Sequence, residues 1–217
     1  MTRATLGFTI ALGLLGCGTN RPDIPDDLKQ SGGGSSGNYP ASPYGGDKGD
    51  VIENFTFGAG WLDPAAAGYD TTALQSVSFS DFYNPDGSGD TKLLLLNTSA
   101  VWCGACKAEH GGSGSKPSLN EHQDSLGPKG LTIVSLLFQD AQSKPATNDH
   151  LVAWTQAYET RHPMALDPEY QMGRFGSAEN APLNIVVDTK TMTVLEKYIG
   201  DQASVMWPFI EAELDKR

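Results

Sequence analysis

Four consecutive leucines, Leu93 to Leu96, run closely ahead of two cysteines spaced by two residues, Cys103-Gly104-Ala105-Cys106. A continuous apolar run of this kind suits a strand buried on both faces. A short turn then leads into the cysteines, which open a helix. At a helix start, the sulfur of Cys103 lies near unpaired backbone N–H groups and the positive end of the helix dipole. Both features favour thiolate over thiol and so make Cys103 the attacking group. Cys106, one turn inside, is then the less exposed thiol and is placed to resolve a mixed disulfide. On the pair alone, three chemistries stay open: a redox couple, half of a zinc site, and an inert structural disulfide.

The pattern around this segment predicts an α/β sheet of mixed strand direction. Ser76 to Phe82 alternates polar and apolar residues, as a half-buried strand or strand end does. Asn84-Pro85-Asp86-Gly87-Ser88-Gly89-Asp90 is a dense turn signal. The helix carrying the cysteines is disturbed at Gly111-Gly112-Ser113-Gly114-Ser115, and a second helical piece spans Pro117 to Leu126. Leu131 to Phe138 reads as another buried strand. Leu151, Val152, Trp154 and Tyr158 fall at helical spacing within Asn148 to Tyr158. Two further strands, Leu183 to Val187 and Thr193 to Tyr198, flank the polar turn Asp188-Thr189-Lys190-Thr191. Ala203 to Leu214 reads as a final amphipathic helix that Pro208 should kink or shift at its start.

The first residues point to export. Met1-Thr2-Arg3 supplies one positive charge, and the apolar run from Leu6 to Leu15 is too short to cross a bilayer as a helix. Leu14-Leu15-Gly16-Cys17 resembles a bacterial lipobox, in which cleavage leaves the cysteine as a lipid-bearing N-terminus. On that reading residues 1–16 are a signal peptide and Cys17 is the lipidation site. Residues 17–50, rich in Gly, Ser and Pro, form a flexible tether, and residues 51–217 form one folded domain. The chain has three cysteines, so lipidation of Cys17 leaves Cys103 and Cys106 as a single pair. Such a pair can persist as a disulfide outside the cytoplasm. The net charge of −11 repels phosphate backbones and anionic lipid headgroups, so no nucleic-acid partner is expected.

Asn97-Thr98-Ser99-Ala100-Val101-Trp102-Cys103-Gly104-Ala105-Cys106-Lys107-Ala108-Glu109, following an apolar strand, resembles the thioredoxin superfamily. It is most similar there to the exported, membrane-attached TlpA/ResA-like oxidoreductases and the related redoxin domains. The resemblance runs from about Val51 to the C-terminus. A second matching segment is Glu179-Asn180-Ala181-Pro182-Leu183-Asn184-Ile185-Val186-Val187-Asp188. The resemblance implies a thioredoxin-like α/β fold, a mixed central sheet flanked by helices. It also implies a cis peptide at Pro182, with Ala181 and Pro182 meeting the substrate peptide and Trp102 on the rim. X–Pro bonds are mostly trans in folded proteins, so the cis form follows from the resemblance and not from the residues. Where many cytoplasmic relatives carry a buried Asp, this chain has Asn97. Glu109 matches an acidic position of the exported relatives, and at i+3 from Cys106 it shares that residue's helix face. Its implied role is to exchange a proton with Cys106.

The function so implied is exchange of a dithiol and a disulfide with exported protein substrates, in the reducing direction rather than the oxidising one, without an organic cofactor. A membrane protein would supply the electrons. The chain would be held by its lipid alone and face the periplasm, with a weak lean toward the outer membrane because Gly18 follows Cys17. Two departures are visible. Ala105 stands where many relatives have proline, and the Gly-rich break interrupts the helix behind the cysteines. Peroxiredoxins need proline and a hydroxyl seven and three residues before the reactive cysteine, where this chain has Leu96 and Ala100. A copper or other soft-metal site on Cys103, Cys106 and His110 is the alternative from another class. His122, His150 and His162 read as surface or capping residues. A calcium loop with Gly87 at its sixth position would put Phe82 at the first ligand, which fails. A non-catalytic binding lipoprotein is the remaining alternative, although so small a disulfide loop gains little by cross-linking.

Overall fold

The leucine run opens a longer central strand than its apolar pattern suggests. The computed structural model describes residues 39–176 and 178–217. The expected signal peptide, Cys17 and the expected tether up to residue 38 lie outside the described residues. Along the chain come β1 (Thr56–Trp61), β2 (Gln75–Ser78), β3 (Leu93–Ala100), α1 (Gly104–Gly111) and α2 (Leu119–Leu126). They are followed by β4 (Leu131–Gln139), α3 (Asn148–Ala157), β5 (Met164–Leu166), β6 (Leu183–Asp188), β7 (Thr193–Ile199) and α4 (Ala203–Leu214). One seven-stranded sheet has the order β2-β1-β5-β4-β3-β6-β7. Strand β3 runs parallel to β4 and antiparallel to β6, and β4 runs parallel to β5. The mixed α/β sheet expected from the sequence is therefore present.

Every residue of β3 is buried, and side-chain alternation divides them between two layers. Leu93 and Leu95 pack with Leu119 and Leu126 of α2 and with Met206, Ile210 and Leu214 of α4. Leu94 and Leu96 face the other way, into Phe57, Val77, Phe79 and Ile185. Burying a leucine completely stabilises a fold by roughly 1.5–3 kcal/mol, so this strand anchors both layers. It continues past the leucines through Asn97-Thr98-Ser99-Ala100, polar residues with no exposure.

Differences from the sequence reading have local causes. Ser76 to Phe82 is not one strand: β2 stops at Ser78 and a 3-10 turn takes Phe79 to Phe82. The Asp81 carboxylate accepts a hydrogen bond from the Ser78 N–H at 2.8 Å, which turns the backbone away from the ladder. Strand β1 carries no clear alternation because of Gly58 and Gly60. Gly60 is required by packing, since a Cβ there would meet the Met164 carbonyl oxygen at 2.6 Å. The Gly-rich break ends α1 at Gly111, and Ser118 starts α2 with a capping box to Glu121, leaving Pro117 ahead of that helix. Pro208 lies inside α4, which keeps its start at Ala203.

Residues 39–50, the last part of the expected tether, lie against the domain. Val51 bridges to Thr193 of β7. Gly49 N–H donates to the Val194 carbonyl at 2.9 Å, and Val194 N–H donates to the Asp50 carbonyl at 2.8 Å. These bonds cover part of an otherwise open sheet edge. Among the described residues, no helix is long and apolar enough to cross a membrane.

Replacing Leu95 with alanine should destabilise the domain by about 2–5 kcal/mol, read as the free energy of denaturant unfolding. A loss under about 1 kcal/mol would contradict the two-layer role of β3.

Candidate active site

The backbone leaves β3 in a short turn that delivers the cysteines to the start of α1. Val101 N–H donates to the Gln139 carbonyl at 2.9 Å, and Cys103 N–H donates to the Ala100 carbonyl at 3.0 Å. Cys103 is the N-cap residue of α1 and is joined to Cys106 by a disulfide. Cys106 N–H donates to Cys103 Sγ at 3.0 Å. The sulfur thus takes the place of the usual capping oxygen and satisfies one of the unpaired N–H groups of the first turn. The same N–H would stabilise a thiolate on Cys103 once the disulfide opens. Cys106 is fully buried and Cys103 is 3% exposed, so little of the oxidised pair reaches the surface.

Cys103 is bordered by the segment that includes Pro182. The Ala181–Pro182 peptide is cis, and the Ala181 carbonyl oxygen lies 3.4 Å from Cys103 Sγ. The segment is held from two sides. Leu183 N–H donates to Thr98 Oγ1 at 3.2 Å, and Gly200 N–H donates to the Pro182 carbonyl at 2.8 Å. On the other flank Trp102 is half-buried. Its Nε1–H donates to Gln139 Oε1 at 2.9 Å, and its ring meets Phe138 edge-on. The structure therefore brings Trp102, Cys103, Ala181 and Pro182 together.

Glu109 points from α1 into the sheet and is nearly buried, 9% exposed. Its Oε2 accepts from Asn97 Nδ2 at 2.8 Å, and its Oε1 accepts from Asn184 Nδ2 at 3.0 Å. Burial pushes its carboxyl up to about 7; the two amide donors pull the other way, and Asp201 adds to the rise while Lys116 opposes it. Lys116 and Asp201 form an ion pair at 2.9 Å across a groove that Glu109 also lines, together with Ala105 and Ala108. The Gly-rich break puts Lys116 there: Ser113 and Lys116 exchange two backbone hydrogen bonds that fold this loop back on itself.

Several residues here carried no signal in the sequence. Asn184 and Ser135 reach Asn97 only through strand pairing, and Gln139 reaches Trp102 across the sheet. His162, read from sequence as a surface or capping residue, is 1% exposed, and its Nε2 lies 2.9 Å from Ser135 Oγ. His122 is also buried, stacked on Trp207, whereas His150 does cap α3 through Thr147. His110, the candidate third metal ligand, is buried with Nε2 3.1 Å from Ser99 Oγ. Among the described residues no three His, Cys, Asp or Glu side chains are grouped to hold a metal ion.

No family model matches the chain. It is 27% identical over 169 residues to a thiol:disulfide interchange protein DsbE of Pseudomonas fluorescens biotype C, spanning 72% of this chain and 83% of that protein. A DsbE of Tatumella citrea is 26% identical, and the match covers 54% of each. In three dimensions the chain is similar to a Chlorobium tepidum protein provisionally named DsbE, with TM-score 0.56 and 20% identity over 77% of this chain and 98% of that one. It is likewise similar to the thioredoxin domain of a Bacteroides vulgatus thiol-disulfide oxidoreductase, with TM-score 0.51 and 16% identity over 77% of this chain and 97% of that one. The sheet order and these neighbours agree on a thioredoxin-like fold.

The raised carboxyl of Glu109 ties stability to pH in a definite direction. Between its ordinary value of 4.5 and its folded value of about 7, the folded state holds the proton more tightly than the unfolded state. Stability therefore falls as pH rises through that window. Relative to Glu109→Gln, the wild type should lose up to about 3 kcal/mol between pH 4.5 and 7, then run parallel. Denaturant unfolding of the oxidised proteins across this range tests the point. Parallel curves throughout would contradict it.

Proposed function

We propose that this chain, a thioredoxin-superfamily thiol–disulfide oxidoreductase, works outside the cytoplasm and reduces disulfides of exported proteins. The observation that carries the reading is the position of the Cys103–Cys106 pair: a disulfide at the first turn of α1, with its outer sulfur beside the Ala181 carbonyl.

In the reduced protein, Cys103 attacks as the thiolate, aided by the Cys106 N–H. Its sulfur bonds to one sulfur of a substrate disulfide, and the other substrate sulfur leaves as a thiolate that takes up a proton. Cys106 then gives its proton to the Glu109 carboxylate and attacks Cys103 Sγ. The mixed disulfide breaks, the second substrate sulfur leaves, and the Cys103–Cys106 disulfide is restored. Two electrons have passed from the protein to its substrate. A Glu109 titrating near neutrality is suited to accept that proton and later return it. The substrate backbone runs beside Ala181 and Pro182, with Trp102 as the apolar edge of the contact. No organic cofactor takes part, because the cysteines hold the electrons.

The reaction cycle closes only if a donor returns two electrons, and for an exported protein that donor is a membrane protein carrying reducing power outward. Lipidation at Cys17 would hold the chain at the periplasmic face of a bacterial membrane, the outer one by a weak preference. The residues after Cys17 would serve as a tether for the domain.

Cys103→Ser should abolish exchange with a protein disulfide, and Cys106→Ser should accumulate mixed disulfides visible on non-reducing gels; full activity in Cys103→Ser would defeat the mechanism. Titration of the protein's free thiols against dithiol buffers should give a two-electron midpoint below about −230 mV, the reducing range. A midpoint near about −120 mV would reverse the proposed direction of electron flow.

A further inference from the structure

Strand register gathers a row of buried polar side chains beneath the cysteine helix. Asn97 of β3 lies opposite Asn184 of β6 on one side and opposite Ser135 of β4 on the other. Ser99, two residues along β3, projects from the same face as Asn97. Asn97, Ser99 and Ser135 have no exposure, and Asn184 is 1% exposed. Asn97 Nδ2 donates to Glu109 Oε2 and to Asn184 Oδ1, both at 2.8 Å. Its Oδ1 accepts from Ser99 Oγ at 3.0 Å and from Ser135 Oγ at 3.3 Å. Behind the two hydroxyls stand two imidazoles, with His110 Nε2 at 3.1 Å from Ser99 Oγ and His162 Nε2 at 2.9 Å from Ser135 Oγ. The Nδ1 atoms of both rings are buried without a hydrogen-bond partner.

The sense of these bonds follows from proton counting. Burial holds both imidazoles well below their ordinary proton affinity, so each ring carries one N–H. A buried N–H left unpaired is rarer in folded proteins than an unpaired acceptor, which places the proton on Nε2 and the lone pair on Nδ1. Each Nε2–H then donates to its serine, and each hydroxyl has its single proton free for Asn97 Oδ1. With its oxygen claimed by two hydroxyls, Asn97 presents only N–H groups to Glu109 and Asn184. The opposite sense would need reversed Asn97 and Asn184 amides, whose two oxygens would face a Glu109 carboxyl with one proton to give, as well as two reversed hydroxyls and two orphaned Nδ1–H groups.

We propose that His110 and His162, acting through Ser99 and Ser135, are positioning residues that lock the Asn97 amide with its N–H groups toward Glu109 and so keep that carboxylate a proton acceptor. This rests on the role given above to Glu109 in deprotonating Cys106. Other groups also face Glu109. The Asn184 amide from β6 donates to it, Lys116 in the loop after α1 favours its anion, and Asp201 ahead of α4 disfavours it. His110 comes from Glu109's own helix and His162 from the segment before β5, both neutral. The histidines touch neither sulfur nor substrate in this scheme; they act on the carboxylate through two hydroxyls and one amide.

Two measurements test the proposal without relying on turnover. Nitrogen-15 NMR of the unaltered, oxidised protein above pH 7 should show His110 and His162 as Nε2–H tautomers. An Nδ1–H tautomer at either ring overturns the proposal, and this result needs no variant to fold. Titration of the Glu109 carboxyl by infrared spectroscopy, assigned with Glu109→Gln, should move upward by about half to one pH unit in Ser99→Ala/Ser135→Ala. Ser99→Thr, which keeps the hydroxyl, should titrate as the wild type does. An unshifted carboxyl in the folded double alanine variant overturns the proposal. If Glu109→Gln exchanges disulfides with an unchanged pH profile, the catalytic role of Glu109 fails instead, while the carboxyl titration still judges the network.

Discussion

Strand β3 is hydrogen-bonded along both edges and buried on both faces, and the site depends on that double constraint. Pairing with β4 and β6 leaves the strand no freedom to slide, because a one-residue slip would exchange its two faces. Leu93 and Leu95 would then meet the layer built for Leu94 and Leu96. The end of the strand is therefore fixed in space, and the turn after Ala100 starts α1 from a fixed point. Cys103 inherits its place as N-cap residue from this chain of constraints, and Cys106 follows one turn later.

A strand so deeply buried would ordinarily exclude polar side chains, yet three of its last four residues are Asn97, Thr98 and Ser99. Each is compensated. Thr98 accepts from the backbone of Leu183, which tethers the segment containing the cis peptide. Asn97 and Ser99 belong to the hydrogen-bonded row that ends on Glu109. Unpaired groups in this position would cost several kcal/mol, so the row is retained as a whole or not at all. Its polarity also opposes the effect of burial on Glu109, leaving a carboxyl that titrates near neutrality where an isolated buried one would rise further.

The loop after α1 adds a second influence on that carboxyl. Gly112, at φ 74°, ends the helix in a conformation that favours glycine, and the turn from Ser113 to Lys116 sends the chain back across the groove. Lys116 then pairs with Asp201 beside Glu109. Both partners are about half exposed, so the pair contributes little to stability by itself. Its effect is local: it sets opposite charges over a groove that Glu109 lines together with Ala105 and Ala108 of α1.

Much of this was legible in the sequence, because the decisive signals are local. Four leucines mark a strand buried on both faces, and the spacing of Cys103 and Cys106 places both at the first turn of a helix. Glu109 shares the buried face of that helix with Cys106 because i and i+3 share a face in any α-helix. The mixed sheet also follows from the order of apolar runs. What the sequence could not carry is everything that depends on register between distant strands. Asn97 and Asn184 are 87 residues apart, Asn97 and Ser135 are 38 apart, and no local pattern states that they lie side by side. The same holds for His162, whose polar ring reads as a surface residue until β5 and β4 pair and bury it against Ser135. Local chemistry placed the cysteine pair at the start of α1; the pairing of strands decided which buried donors surround Glu109, because hydrogen bonds across a sheet are set by register and not by sequence distance.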